Sequence, residues 1–117
     1  MPEPVFVYGT LKSEFGNHHV MQRAGGTFVK SITIGPGYTM YHLGGFPAVV
    51  EVGNGFITGD VYEVEDLDPL DILEGVPVFY YRKWLEPYQC WAYLMNQAHA
   101  EYSSRGKIIE KGCWDEV

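Results

Sequence analysis

No apolar stretch in this 117-residue chain runs long, and glycine or proline punctuates nearly all of them. The runs at residues 4–9, 27–34, 38–43, 46–52, 56–64, 78–85 and 89–95 are rich in β-branched and aromatic side chains, which suit a pleated, half-buried surface. Gly35-Pro36-Gly37 and Gly53-Asn54-Gly55 read as tight turns between such runs. Gly59, inside its run, predicts a bulge or a sharp bend. Strands do not alternate with long helices, which argues against a parallel α/β sheet. The pattern predicts an α+β fold. It is a small mixed β-barrel of about seven short strands with two short flanking helices, built as one domain over residues 1–117.

The first predicted helix covers residues 17–24, with Asn17 as its cap and Gly25-Gly26 as its end. Val20, Met21 and Ala24 make its buried face. His18 and His19 are adjacent, so on a helix they point about 100° apart and do not easily share one metal ion. No metal site is expected. Residues 96–107 are polar without a clear period and read as a loop, with or without some helix.

The second predicted helix is the most heavily signposted stretch. Asp68 is a good cap and Pro69 a good first residue. Leu67 and Ile72 are spaced for a hydrophobic staple, and Asp71 falls in the first turn, where the helix dipole favours a carboxylate. Gly75 suits the left-handed residue past the end, and Pro77 prevents the helix from resuming. The helix therefore spans residues 69–74 and leaves Glu74 in its last turn, facing the negative end of the dipole. A carboxylate there loses about 0.3–1 kcal/mol, and repulsion of its charge raises its proton affinity. Two readings follow: a solvated glutamate at a helix end, or a general base tuned toward neutral pH.

A net charge of -7 repels phosphate backbones, and the eight Lys and Arg residues form no patch, so neither nucleic acid nor a membrane surface is an expected partner. No apolar run approaches the roughly 20 residues that span a bilayer. The first residues lack the basic-then-apolar pattern of a secretory signal, so cytoplasmic location is the default expectation. Cys90 and Cys113 are then expected as reduced thiols. Small molecules or other proteins remain as partners, and the oligomeric state is open.

The strand at residues 4–9 leads through Tyr8-Gly9-Thr10-Leu11-Lys12 into a polar turn. Glycine lets backbone approach a ligand closely, and successive turn N–H groups can point at one anion or carbonyl oxygen. The same residues also read as an ordinary strand end.

Three islands in this order resemble the gamma-glutamylcyclotransferase-like superfamily, and within it the small gamma-glutamylamine cyclotransferase branch. They are Val7-Tyr8-Gly9-Thr10-Leu11-Lys12 with Asn17-His18, then residues 44–64 with Gly59-Asp60-Val61-Tyr62-Glu63-Val64, then residues 71–82 with Leu73-Glu74-Gly75 and Tyr80-Tyr81-Arg82. The resemblance spans nearly the whole chain. It implies an enzyme that expels an amine from a gamma-glutamyl compound and leaves 5-oxoproline. It places the catalytic glutamate at Glu74, the substrate-binding loop at Tyr8, Gly9, Thr10 and Leu11, and a Tyr-x-Arg pair at Tyr80 and Arg82. Arg82 then has two readings, binding a substrate carboxylate or pairing with an acid to brace the active-site helix. Tyr8 and Tyr80 are likewise divided between pocket and core.

The implied chemistry needs no cofactor and no protein nucleophile, because the substrate's own α-amine attacks its side-chain carbonyl. A different class remains beside it: a non-catalytic small-molecule-binding module on the same barrel.

Overall fold

The structure is a computed structural model that describes residues 2–9, 18–44, 46–76 and 78–114. Among the described residues, five strands form one mixed sheet: β1 (Glu3–Val7), β2 (Thr27–His42), β3 (Pro47–Val64), β4 (Tyr81–Leu85) and β5 (Cys90–Leu94). Three helices accompany them: α1 (His18–Arg23), α2 (Asp68–Glu74) and α3 (Gln97–Ser104). The spatial order is β2-β3-β1-β5-β4, with β1 antiparallel to β3 and parallel to β5.

The α+β class is as expected, but the sheet is open, with edges at β2 and β4, and holds five strands where about seven were predicted. The difference comes from the two glycine segments read as turns. They lie inside β2 and β3, opposite one another, and bend the pair without reversing it. Ile34 pairs with Ile57 and Tyr38 with Gly55, then Thr39 with Val50, so the register shifts twice within a few residues. Gly35 and Gly53 have φ of 124° and 105°, a region open to glycine. A Cβ on Gly55 would lie 2.6 Å from the Tyr38 carbonyl oxygen, so the backbones approach as only glycine allows. The chain reverses instead between His42 and Pro47, which pair directly.

The sheet has core on both sides. Along β1, Val5 and Val7 enter one buried cluster, whereas Phe6 and the following Tyr8 enter the other. Along β5, Tyr93 joins the first cluster and Cys90, Ala92 and Leu94 the second. The first cluster takes in Val20, Met21, Leu70 and Ala100, one or two from each helix, so the helices cover that face. Burial on both faces explains why β1 is a continuous apolar run and not an alternating one.

Helix α1 buries Val20 and Met21, and Ala24 is buried just beyond it, as predicted; Asn17, the expected cap, lies outside the described residues. Helix α2 matches its predicted span within one residue. Its start differs: no side chain caps it, the Asp68 N–H donates to the Asp66 carboxylate at 3.0 Å, and Ile72 is 80% exposed and makes no staple. Its end is as expected. Gly75 adopts φ 65°, and Gly75 and Val76 N–H groups return to the Ile72 and Asp71 carbonyls. Pro77 lies outside the described residues.

Helix α3 stands where a loop was the first reading. Asn96 caps it, accepting from the N–H groups of Ala98 and His99 at 2.9 and 3.4 Å. Only Ala100 and Ser104 are buried on it, and two small residues leave no apolar period to read. Cys90 and Cys113 are free thiols. Among the described residues, no helix is long and apolar enough to cross a membrane.

Candidate active site

Several separate parts of the fold converge on one cavity of about 450 Å³. The end of β1 delivers Val7, Tyr8 and Gly9, and the start of β3 delivers Pro47. The last turn of α2 supplies Leu73 and Glu74, the segment before β4 supplies Phe79 and Tyr80, and α3 supplies His99 and Ser103. A cavity of this size, mostly apolar with a few polar groups, suits a small organic ligand.

Glu74 is the one Asp or Glu among the described residues that line it. Its carboxyl is raised from 4.5 to about 7, and burial is the cause. The sequence pointed to the right direction through the helix dipole, whereas removal of the carboxylate from water is the effect that dominates here. The position follows from local geometry. The left-handed turn at Gly75 and the return of Val76 to Asp71 stop the helix at Glu74, under the wall formed by residues 79 and 80.

Tyr8 and Tyr80 sit within the influence of that charge. Burial raises both hydroxyls well above the ordinary tyrosine range, and for Tyr80 the Glu74 carboxylate adds to it. Tyr8 likewise feels Tyr80 and Glu74 after its own burial. Each stays protonated and donates to a backbone carbonyl: Tyr8 to Tyr93, and Tyr80 to Pro47 at 2.7 Å. Both are therefore core residues and wall residues at once. Gly9 is tight against the same proline, since a Cβ there would lie 2.9 Å from the Pro47 ring carbons.

Arg82 is not among the residues lining the cavity. Its Nη1 donates to Asp71 Oδ2 at 2.6 Å, on the helix that carries Glu74, and its guanidinium lies 4.8 Å from the centre of the Trp91 ring. Thr10 and Leu11, the expected continuation of the substrate loop, lie outside the described residues. Of the residues singled out from sequence, the fold thus brings Tyr8, Gly9, Glu74 and Tyr80 to one cavity and puts Arg82 behind it.

Sequence reasoning gave no pocket role to Phe46, Pro47, Phe79 or Met95, all of which line the cavity, whereas the polar stretch at residues 96–107, read as a candidate cover for the pocket, does supply His99 and Ser103. The run at residues 46–52 signals a strand, and nothing in it signals that its first residues form a wall. The Asn96 cap was the one available sign that His99 and Ser103 ride on a helix. The His18 ring packs at 5.9 Å from Tyr62. No group of three metal-ligating side chains gathers among the described residues.

Residues 5–116 match the family model described as gamma-glutamyl cyclotransferase, AIG2-like. A Vibrio cholerae protein that carries the name gamma-glutamylcyclotransferase provisionally is 37% identical over 118 residues, covering 97% of this chain and 96% of its own. A crystal structure of a uropathogenic Escherichia coli protein superposes with a TM-score of 0.81 over 99% of this chain and 94% of that one. At 18% identity it speaks to the fold alone. An aig2-like protein of Mus musculus is 28% identical, with a TM-score of 0.69 over 80% of this chain and 77% of its own. With fold, family model and close relative in agreement, the chain belongs to the gamma-glutamyl cyclotransferase, AIG2-like family, whose members are enzymes of the cyclotransferase class.

Proposed function

We propose that the protein releases 5-oxoproline and a free amine from a gamma-glutamyl amine or gamma-glutamyl peptide, with Glu74 moving the protons. The observation that carries this reading is the Glu74 carboxyl, raised to about 7 and the one Asp or Glu among the described residues that line a largely apolar cavity of substrate size.

The steps balance without water or cofactor. The substrate's α-ammonium gives a proton to the Glu74 carboxylate. The freed amine attacks the carbonyl carbon of the side-chain amide, forming the C–N bond of a five-membered ring. The tetrahedral centre then collapses: Glu74 returns its proton to the departing nitrogen as the old C–N bond breaks, then takes the second proton from the ring nitrogen and passes it to the released amine, which leaves as an ammonium.

Burial assists the first step from both sides. It raises the carboxyl toward the amine and lowers an ammonium toward the carboxyl, so proton transfer between them becomes nearly level. Folding the substrate so that amine and carbonyl meet accounts for most of the acceleration, since a well-held intramolecular attack is worth roughly 7–11 kcal/mol. The walls at Tyr8, Gly9, Pro47 and Tyr80 supply that shape. The Gly9 N–H, with the loop that follows, is assigned to the substrate carboxylate or the developing oxyanion. Removing one oxyanion donor costs about 2.7–4 kcal/mol.

The test is release of 5-oxoproline from a panel of gamma-glutamyl amines and dipeptides, with wild type and Glu74→Gln side by side. Wild type is expected to turn over at least one class. The variant, folded by circular dichroism, is expected to fall about 10²–10⁴-fold in kcat. A folded Glu74→Gln protein with undiminished turnover removes Glu74 from the chemistry. Ligand binding without turnover by wild type would make the protein a binding module.

A further inference from the structure

Helix α2 is short, seven residues, and only Leu70 on it is fully buried. A helix of that length is not stable on its own and holds its place through what it packs on. Glu74 at its end must nevertheless be fixed to a fraction of an ångström if it is to trade protons with a bound substrate. Something besides Leu70 has to set the helix against the sheet.

Asp71 meets that need. It lies three residues before Glu74, on an adjacent part of the same helix surface. Its two carboxylate oxygens are taken by different strands. Oδ2 accepts from Arg82 Nη1 of β4 at 2.6 Å, and Oδ1 accepts from the Tyr93 hydroxyl of β5 at 2.6 Å. Arg82 and Tyr93 are themselves direct partners across the β4–β5 ladder, so the two donors form one rigid fork. The fork is backed in turn: Arg82 stacks on Trp91, whose indole N–H donates to Glu3 of β1 at 3.1 Å.

The fork also reaches the cavity. Tyr93 is 3% exposed, lines the cavity, and offers its backbone carbonyl to the Tyr8 hydroxyl. One residue therefore holds both the helix that bears Glu74 and the Tyr8 side chain in the cavity wall. The ion pair itself is partly solvated, with side-chain exposures of 27% and 24%, so by charge alone it contributes little to stability. Two short charge-assisted bonds at fixed angles set a position more than they add an energy.

We propose that Asp71, held by Arg82 and Tyr93, is a positioning residue that sets the Glu74 carboxyl against the substrate. The proposal rests on the reading of Glu74 as the general acid/base and adds to it how that group is aimed.

The experiment is a set of double-mutant cycles on 5-oxoproline release. Tyr93→Phe deletes one hydroxyl and keeps the ring in the wall; Asp71→Asn keeps the shape and weakens both contacts; Arg82→Lys keeps a single donor. Expected for Tyr93→Phe and Asp71→Asn is a fall in kcat of about 10–100-fold, with KM within about twofold of wild type. Arg82→Lys is expected to retain more activity than Arg82→Met. In a Glu74→Gln background the same substitutions are expected to have no further effect, because they act through the group already lost.

Unchanged kcat in Tyr93→Phe and Asp71→Asn, with thermal stability lowered, would make the fork structural only and overturn the proposal. Additive losses in the Glu74→Gln background would overturn it as well. Full activity of Glu74→Gln alone would instead overturn the acid/base reading, and the two failures are thereby told apart.

Discussion

Glu74→Gln should stabilise the folded protein, and it should do so only where the carboxylate would otherwise be charged. The Glu74 carboxyl titrates near 7 in the folded state and near 4.5 when burial is absent. Below about pH 4.5 both states hold the proton and the residue costs nothing. Between 4.5 and 7 the unfolded chain gives the proton up while the folded one keeps it, so stability falls as pH rises. Above 7 the folded protein carries a buried charge, and the whole difference has been lost. At about 1.36 kcal/mol per pH unit this amounts to about 3 kcal/mol, reduced to about 2–3 by the solvent that still reaches the cavity. Glutamine has nearly the same shape and no such loss. Urea unfolding of wild type and variant at pH 5 and pH 8 reads the effect directly. The variant's advantage should be small at pH 5 and about 2–3 kcal/mol larger at pH 8, or about 10 °C in Tm for a chain of this size. An advantage equal at the two pH values, or absent at both, would mean that the carboxyl is not desolvated as described.

The same group predicts that kcat/KM rises with pH through about 7 as the base is freed, a limb that Glu74→Gln should lack; a profile flat from pH 5 to 9 would count against it. Gly9→Ala should push the first wall of the cavity off Pro47, costing about 1–3 kcal/mol of stability and most of the activity, as denaturation and turnover would show. Asn96→Ala should cost about 1 kcal/mol through the lost cap of α3 and raise KM more than it lowers kcat, because His99 and Ser103 form wall and not acid/base machinery.

The parts legible from sequence are those specified by neighbours in the chain. Helix α2 and its stop at Gly75 are written in Pro69 and Gly75, both within a few residues of Glu74, although Asp68 does not cap the helix as expected. Strand β1 announces itself as a run of residues buried on both faces. What escaped depends on pairing across long separations. Gly35 and Gly53 look like turn residues because the chain is read one segment at a time. They become bends only once β2 and β3 lie side by side over their full length. The acid that takes Arg82 could not be chosen among the 15 Asp and Glu residues until β4 and α2 were in place. Tyr93 falls within the run at residues 89–95 with nothing in the sequence to single it out, and its hydroxyl finds Asp71 only in three dimensions. The cavity is hidden for the same reason, because its walls come from elements spread from residue 6 to residue 103.

The central claim is that the substrate closes on itself, with no water entering the product. Purified protein incubated with a gamma-glutamyl alkylamine in ¹⁸O-water, followed by mass spectrometry, tests it most directly. Unlabelled 5-oxoproline and the free amine in equal amounts is the predicted result. Glutamate carrying one ¹⁸O would mean hydrolysis in place of cyclisation and would contradict the account.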